Sequence, residues 1–176
     1  MTAIPNGRVT EIPGSNSLDF LEAVFDCYAA KEVFAISRGD ASLSDFDIDV
    51  MRHELPPAAD QKRGWGRFDH TPSYSEAPAQ IVFTSGTEGA PKAIVLSHHN
   101  LADVVTRLND AMAVTADIKE YVGVPVTYSF GLGRARAVSA AGGAVYLPER
   151  FDPAEIRRML EAGEINAISA VPSLWM

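Results

Sequence analysis

Twelve consecutive residues concentrate the chemistry of this chain: Ile81-Val82-Phe83-Thr84-Ser85-Gly86-Thr87-Glu88-Gly89-Ala90-Pro91-Lys92. An apolar, β-branched run opens into hydroxyls and glycines, then closes on a proline and a lysine. Small residues let backbone N–H groups approach an anion, and the hydroxyls add further donors. The terminal lysine contributes a mobile point charge. Such a loop suits the phosphates of a nucleotide. The P-loop of NTPases is excluded, because it needs glycines five apart and a Lys-Ser/Thr pair that opens a helix. Here Gly86 and Gly89 are three apart and Ala93 follows Lys92. No G-x-G-x-x-G follows a first strand either, so the dinucleotide fingerprint fails.

The residues around the loop predict how it is held. Ile81 to Thr84 reads as a strand entering the loop and Ala93 to Leu96 as a strand leaving it. Asn100 is an N-cap candidate for a helix with Leu101, Val104, Val105, Leu108 and Met112 on one face. Tyr121 to Val124 predicts a strand, Gly131 to Ala141 a second helix, and Ala144 to Leu147 another strand. Asp152-Pro153-Ala154-Glu155 supplies an N-cap, a proline at N1 and a glutamate at N3. In that third helix Ile156, Met159 and Leu160 are expected inside, and Gly163 ends it. Ala167 to Val171 completes the series as a strand, before a helical start at the end of the chain. Strands alternating with helices at this spacing predict an α/β fold of βαβ units with a mainly parallel sheet.

Upstream, Leu18, Leu21, Val24, Phe25 and Tyr28 recur at helical spacing after Ser15-Asn16-Ser17, and Val33 to Ile36 reads as a short buried strand. The chain divides into an N-terminal helix–strand segment (1–55), a Pro/Gly-rich connecting segment (56–79) and the phosphate-loop α/β portion (80–176). In the connecting segment an irregular strand is expected around Trp65 to Phe68, with both rings anchoring it to the core. His53 and His70 read as solvated, lacking a second ligand at metal spacing.

Composition narrows the function. The 176 residues are about one domain long, and the net charge of −8 disfavours a nucleic-acid partner. No apolar run is long enough for a membrane span, and the N-terminus lacks the pattern of a secretion signal. Cys27 is the single cysteine, so no internal disulfide forms and a reducing, cytoplasmic setting is expected. On its helix it reads as a buried small hydrophobe.

Residues Ile81 to Lys92 resemble, at every position, the phosphate-binding signature of the adenylate-forming (ANL) superfamily, the AMP-dependent synthetases and ligases. That family includes acyl- and aryl-CoA synthetases, adenylation domains of nonribosomal peptide synthetases, and luciferases. Ser97-His98-His99-Asn100-Leu101 is similar to the family's Ser/Thr-His-x-Asn-Leu segment, where His98 would orient the turn. Pro125-Val126-Thr127-Tyr128-Ser129-Phe130-Gly131-Leu132 resembles its Pro-Leu-x-His/aromatic-x-x-Gly-Leu segment. Gly142 to Pro153 and Val171-Pro172-Ser173 extend the likeness over about the C-terminal two-thirds of the chain. Two departures stand out. Glu88 replaces a usual hydroxyl and would repel phosphate unless turned away or bridged by Mg²⁺. Ala93 replaces a usual glycine.

The resemblance implies an N-terminal subdomain fold, incomplete at the C-terminus, and an ATP-dependent acid:thiol ligase reaction. A carboxylic acid would be activated as an acyl-adenylate with release of pyrophosphate, then transferred to CoA or to a carrier-protein phosphopantetheine. It implies that Ser85, Gly86, Thr87, Glu88 and Gly89 line the phosphates, and that Lys92 and Thr87 serve catalysis. Thr84 would lie near Mg²⁺, with Tyr128 and Gly131 at the acid. Core packing is the alternative for Tyr128. Arg134 and Arg136 are either solvated or steer an acidic substrate. The family's downstream aromatic-Gly-x-Thr-Glu motif, ribose-binding Asp and mobile-domain Lys are not in this sequence. An inactive piece, a half-enzyme needing a complementing C-terminal chain, and a non-catalytic binding module are therefore the three expectations.

Overall fold

The computed structural model describes residues 8–37, 43, 48–84 and 92–174. Two sheets form the frame. The first has the order β3-β1-β2-β5-β6, from Asp49–Arg52, Arg8–Pro13, Phe34–Ser37, Pro78–Thr84 and Lys92–Ser97. Its pairings are parallel except β5 with β6, which is antiparallel. The second has the order β4-β8-β7-β9, from Gly64–Gly66, Ala144–Leu147, Lys119–Val122 and Ala167–Ser169. There only β4 with β8 runs antiparallel. The α/β expectation with a mainly parallel sheet therefore holds, divided between two sheets.

The helices form where sequence chemistry allows. Helix α1 (Leu18–Ala30) starts at Ser17, whose hydroxyl accepts from the Phe20 N–H at 3.1 Å. It ends at Lys31 in the left-handed region, φ 56°. Helix α2 (His98–Ala111) is capped by Ser97, not by Asn100. Asn100 sits at N3, and its Oδ1 accepts from the Ser97 N–H at 3.0 Å while the Ser97 hydroxyl accepts from the Asn100 N–H at 3.1 Å. The capping box uses both residues, so the helix begins three residues before the Asn100 expectation. Helix α3 spans Ser129–Ala140 and α4 spans Pro153–Glu161. Asp152 caps α4 as expected, with Pro153 at N1, and Gly163 just beyond takes φ 66°.

Other expectations need correction. Leu160 is 45% exposed, because α4 buries Ile156 and Met159 and turns Leu160 outward. Strands β1 and β3 were not anticipated. Arg8–Pro13 mixes charge with apolar residues, yet Val9, Thr10, Glu11 and Ile12 are all buried. In the connecting segment Phe68 anchors to the core as expected, but Trp65 is 43% exposed and His70 is packed rather than solvated. Phe68 stacks on Phe25 at 4.9 Å, and His70 lies 5.4 Å from Phe25 and 5.2 Å from Tyr28 (ring centroids). Burial, then the nearby charges of Arg136 and His98, pushes the His70 pKa down to about 4.

One apolar cluster joins the layers. It gathers Phe20, Leu21 and Val24 from α1, Ile12 and Phe34 from the first sheet, Val122 and Val145 from the second, and Leu132 and Val138 from α3. Cys27 belongs to it, as expected of a small hydrophobe, and burial with nearby Glu32 and Asp26 pushes its thiol up to about 12.

Candidate functional site

Parallel strands direct their C-terminal ends, and the loops that follow, to one edge of a sheet, where ligands of open α/β folds bind. Gly14, just beyond β1, packs against the Ser37 carbonyl at the end of β2 and against Thr127. Asn16 Oδ1 accepts from the Val126 N–H at 3.0 Å. The segment carrying Tyr128 is therefore tied to the C-terminal ends of β1 and β2. Strand β5, which leads into the candidate phosphate loop, runs beside β2 in the same direction. The described end of β5 and the Tyr128 segment therefore lie toward the same edge of the first sheet.

The loop is closed by a regular strand pair. Six register partners run from Pro78↔Ser97 to Thr84↔Lys92, with an irregularity between Pro78 and Gln80. Thr84 and Lys92 face each other across the pair at the point where the described residues stop, and the Lys92 side chain is exposed. Ser85, Gly86, Thr87, Glu88 and Gly89 lie outside the described residues. Strand–loop–strand geometry, with the lysine on the outgoing strand, differs from the strand–loop–helix of a P-loop.

Tyr128 stands at the N-cap of α3, with its ring 55% exposed. That exposure corrects the alternative of core packing. It lines a groove of about 610 Å³ together with Gly123, Pro125, Phe130, Phe151 and Val171. Gly131 is required by close approach: a Cβ there would lie 2.4 Å from the Pro125 carbonyl oxygen. The first turn of α3 thus rests directly on the backbone that follows β7. Among the described residues, no cluster of three or more His, Cys, Asp or Glu forms a metal site.

Two arginines depart from both sequence readings, solvated charge and substrate steering. Arg134 is 2% exposed and grips Glu120, itself 1% exposed, through two bonds of 2.9 and 2.6 Å. Arg136 is 7% exposed and donates to the Tyr28 hydroxyl at 3.2 Å. Both hold α3 in place, Arg134 against β7 and Arg136 against α1. Nothing in the sequence pattern marked them, since their partners lie 14 and 108 residues away. His98 behaves as expected of a turn-orienting residue. Its backbone N–H donates to the Ala77 carbonyl at 3.0 Å, and its ring is buried beside Tyr28. Burial, then Lys31, lowers its pKa, and among the described residues its Nε2 has no hydrogen-bond partner.

The two mainly parallel sheets with their covering helices define the α/β class. Sequence comparison makes it specific: the chain belongs to the AMP-binding enzyme family, which it matches over residues 22–176. Among curated relatives, the acyl-CoA ligase sidI of Beauveria bassiana is 36% identical over 104 residues, 56% of this chain and 18% of that protein. The 2-succinylbenzoate–CoA ligase of Listeria monocytogenes is 35% identical over 98 residues, 54% of this chain and 21% of its own. The chain thus spans about a fifth of the length of these relatives. A solved malonyl-CoA ligase, with methylmalonyl-CoA and AMP bound, superposes with a TM-score of 0.74 at 24% identity, covering 94% of this chain and 40% of that one. The O-succinylbenzoate coenzyme A synthetase of Bacillus subtilis, in complex with ATP and magnesium, gives 0.67 at 15% identity, over 96% and 51%. Both likenesses concern the fold.

Proposed function

We propose that this chain supplies the phosphate-handling part of an ATP-dependent acid:thiol ligase. The supporting observation is the antiparallel closure of β5 on β6, which sets Thr84 opposite Lys92 at the two ends of the signature. In this reading a carboxylate oxygen attacks the α-phosphorus of ATP, the bond to the β-phosphate oxygen breaks, and pyrophosphate departs. The acyl carbon of the adenylate then accepts a thiolate from CoA or a phosphopantetheine, and AMP leaves. The work of the protein is positioning and charge stabilisation. In this reading Ser85, Gly86, Thr87, Glu88 and Gly89 line the β- and γ-phosphates, and Lys92 balances charge as pyrophosphate forms. The Thr84 hydroxyl would help hold Mg²⁺, which when bound would supply neutralisation of phosphate charge. Tyr128 and Phe130 present rings to the acid in the groove, and Gly131 keeps α3 close beneath them. Residues 80–176 carry this chemistry; residues 1–55 and 56–79 buttress it.

The test is ATP–pyrophosphate exchange with a panel of carboxylic acids. It is run on the chain alone and with a complementing chain that carries the downstream family motifs. Acid-dependent exchange that Lys92→Ala abolishes supports the reading. Exchange equally fast in Lys92→Ala removes Lys92 from its role, and no exchange in either format with any acid overturns the ligase assignment.

A further inference from the structure

Two apolar grooves share one pair of side chains. Phe151 and Leu174 line the groove of about 610 Å³ that holds Tyr128, and they also line a second one, of about 540 Å³, beside Ile156, Leu160 and Ile168. Phe151 is fixed at this junction from two sides. Its ring lies over Gly123, where a Cβ would stand 2.8 Å from it, and meets Tyr121 edge-on at 6.3 Å. Leu174 sits on the short turn Pro172–Leu174 that follows β9. The first groove opens where Gly123 and Pro148 follow β7 and β8, at the C-terminal edge of their parallel pairing, where ligands of α/β sheets bind.

Among the described residues, neither groove presents a cation without an acid beside it. In the second, Arg157 donates to Glu161 at 2.8 Å. In the first, Arg150 is accompanied by Glu149, and both also border the depression that contains Asp152 and Glu155. The Oδ1 of Asn16, a further polar group in that wall, is occupied by the Val126 N–H. The other lining side chains are apolar or aromatic, with Phe130 49% and Val171 39% exposed. A concave site of this size with such walls accepts the apolar body of a small molecule. Each methylene that leaves water there adds affinity, whereas a carboxylate set against an exposed, acid-flanked arginine adds little.

We propose that the Tyr128 groove takes the aliphatic tail of a monocarboxylic acid, and that Phe151 is the residue that limits the length of that tail. The tail enters past Tyr128 and Phe130 and ends against the Phe151 ring, with the second groove as the space beyond it. A dicarboxylic acid of the same length would bring its second carboxylate to that ring, out of water and without a partner, which is costly. Removing the ring joins the two grooves and admits a longer tail. That the acid's own carboxylate is the group activated rests on the ligase reading; that the groove holds the tail does not.

Calorimetric titration of the chain with hexanoate, octanoate, decanoate and dodecanoate, and with octanedioate, tests it. Affinity should rise roughly threefold for each added methylene until it reaches a plateau. Octanedioate should bind about tenfold more weakly than octanoate, or worse. Phe151→Ala should move the plateau to acids longer by about two carbons or more, a gain that misfolding cannot produce. Affinity that ignores chain length, octanedioate binding as well as octanoate, or a plateau unmoved in the variant would overturn the proposal. ATP–pyrophosphate exchange with the complementing chain separates this outcome from that of the ligase reading. Length-dependent binding without exchange supports the groove and removes the ligase assignment, whereas exchange with octanedioate but not octanoate keeps the ligase assignment and overturns the groove.

Discussion

Gly131 is the residue whose identity the geometry dictates most sharply. A methyl group there would sit 2.4 Å from a backbone oxygen, and a backbone carbonyl cannot swing aside as a flexible side chain can. Gly131→Ala should therefore lower stability by about 1–3 kcal/mol, the usual cost of overpacking, measured as a shift in urea midpoint. It should also disturb the groove beneath Tyr128. His70 governs a different property. Its pKa is about 4 in the folded chain and near 6.5 when unfolded, so the unfolded state takes up the proton first as pH falls. The stabilisation from neutral His70 is complete above about pH 6.5 and is lost progressively down to about pH 4, amounting to roughly 3 kcal/mol at most. Urea denaturation at pH 7, 5.5 and 4 should show this decline, and His70→Phe should flatten it. A wild-type stability that stays level over that range would show that His70 is not shielded from protonation.

At the scale of elements, α3 is held by an ion pair taken fully out of water. Arg134 and Glu120 satisfy each other with two short bonds, but removing one partner leaves a bare charge between α3 and β7. Glu120→Gln alone should cost about 3–5 kcal/mol, whereas the double replacement Arg134→Met with Glu120→Leu should recover most of the loss. Thermal melts of the two variants beside the wild type decide the matter; equal damage in the single and double variants would mean that packing, rather than charge, fixes α3. The same pair shows where sequence reading stops. Strand β8 and the cap of α4 were legible, because Ala144 to Leu147 is a clean apolar run and Asp-Pro at N-cap and N1 is a local signal. Strands β1 and β3 were not, since their partners lie far along the chain and both contain charged residues that edge position or pairing makes tolerable. Arg134 read as a solvated charge for the same reason: only tertiary contact reveals Glu120. Of the candidate site, the family was legible from the spacing of residues 81–92 and from the segment around Tyr128, while residues 85–91 lie outside the described residues. The groove that surrounds Tyr128 required the fold.

The molecule as a whole is two sheets made one by a shared core. Helix α1 lies at the junction, with Phe20 and Leu21 wholly buried against residues of both sheets. The Asn16 bond to the Val126 N–H ties the loop before α1 to the loop after β7, so the two walls of the candidate site cannot separate without exposing that core. Single domains of this size commonly unfold in one cooperative step, and a continuous cluster is the physical reason to expect it here. Amide exchange should then report the same opening free energy for peptides covering Phe34–Ser37 in the first sheet and Lys119–Val122 in the second. Leu21→Ala should lower both values together by about 2–5 kcal/mol, the cost of a buried leucine truncation. If β2 lost protection while β7 kept it, the sheets would be separate cooperative units. The relative placement of β5 and the Tyr128 groove would then rest on the Asn16 tether and the Gly14–Thr127 contact. Asn16→Ala separates these cases, because with a shared core it should cost about 1 kcal/mol or a little more and leave the two values equal.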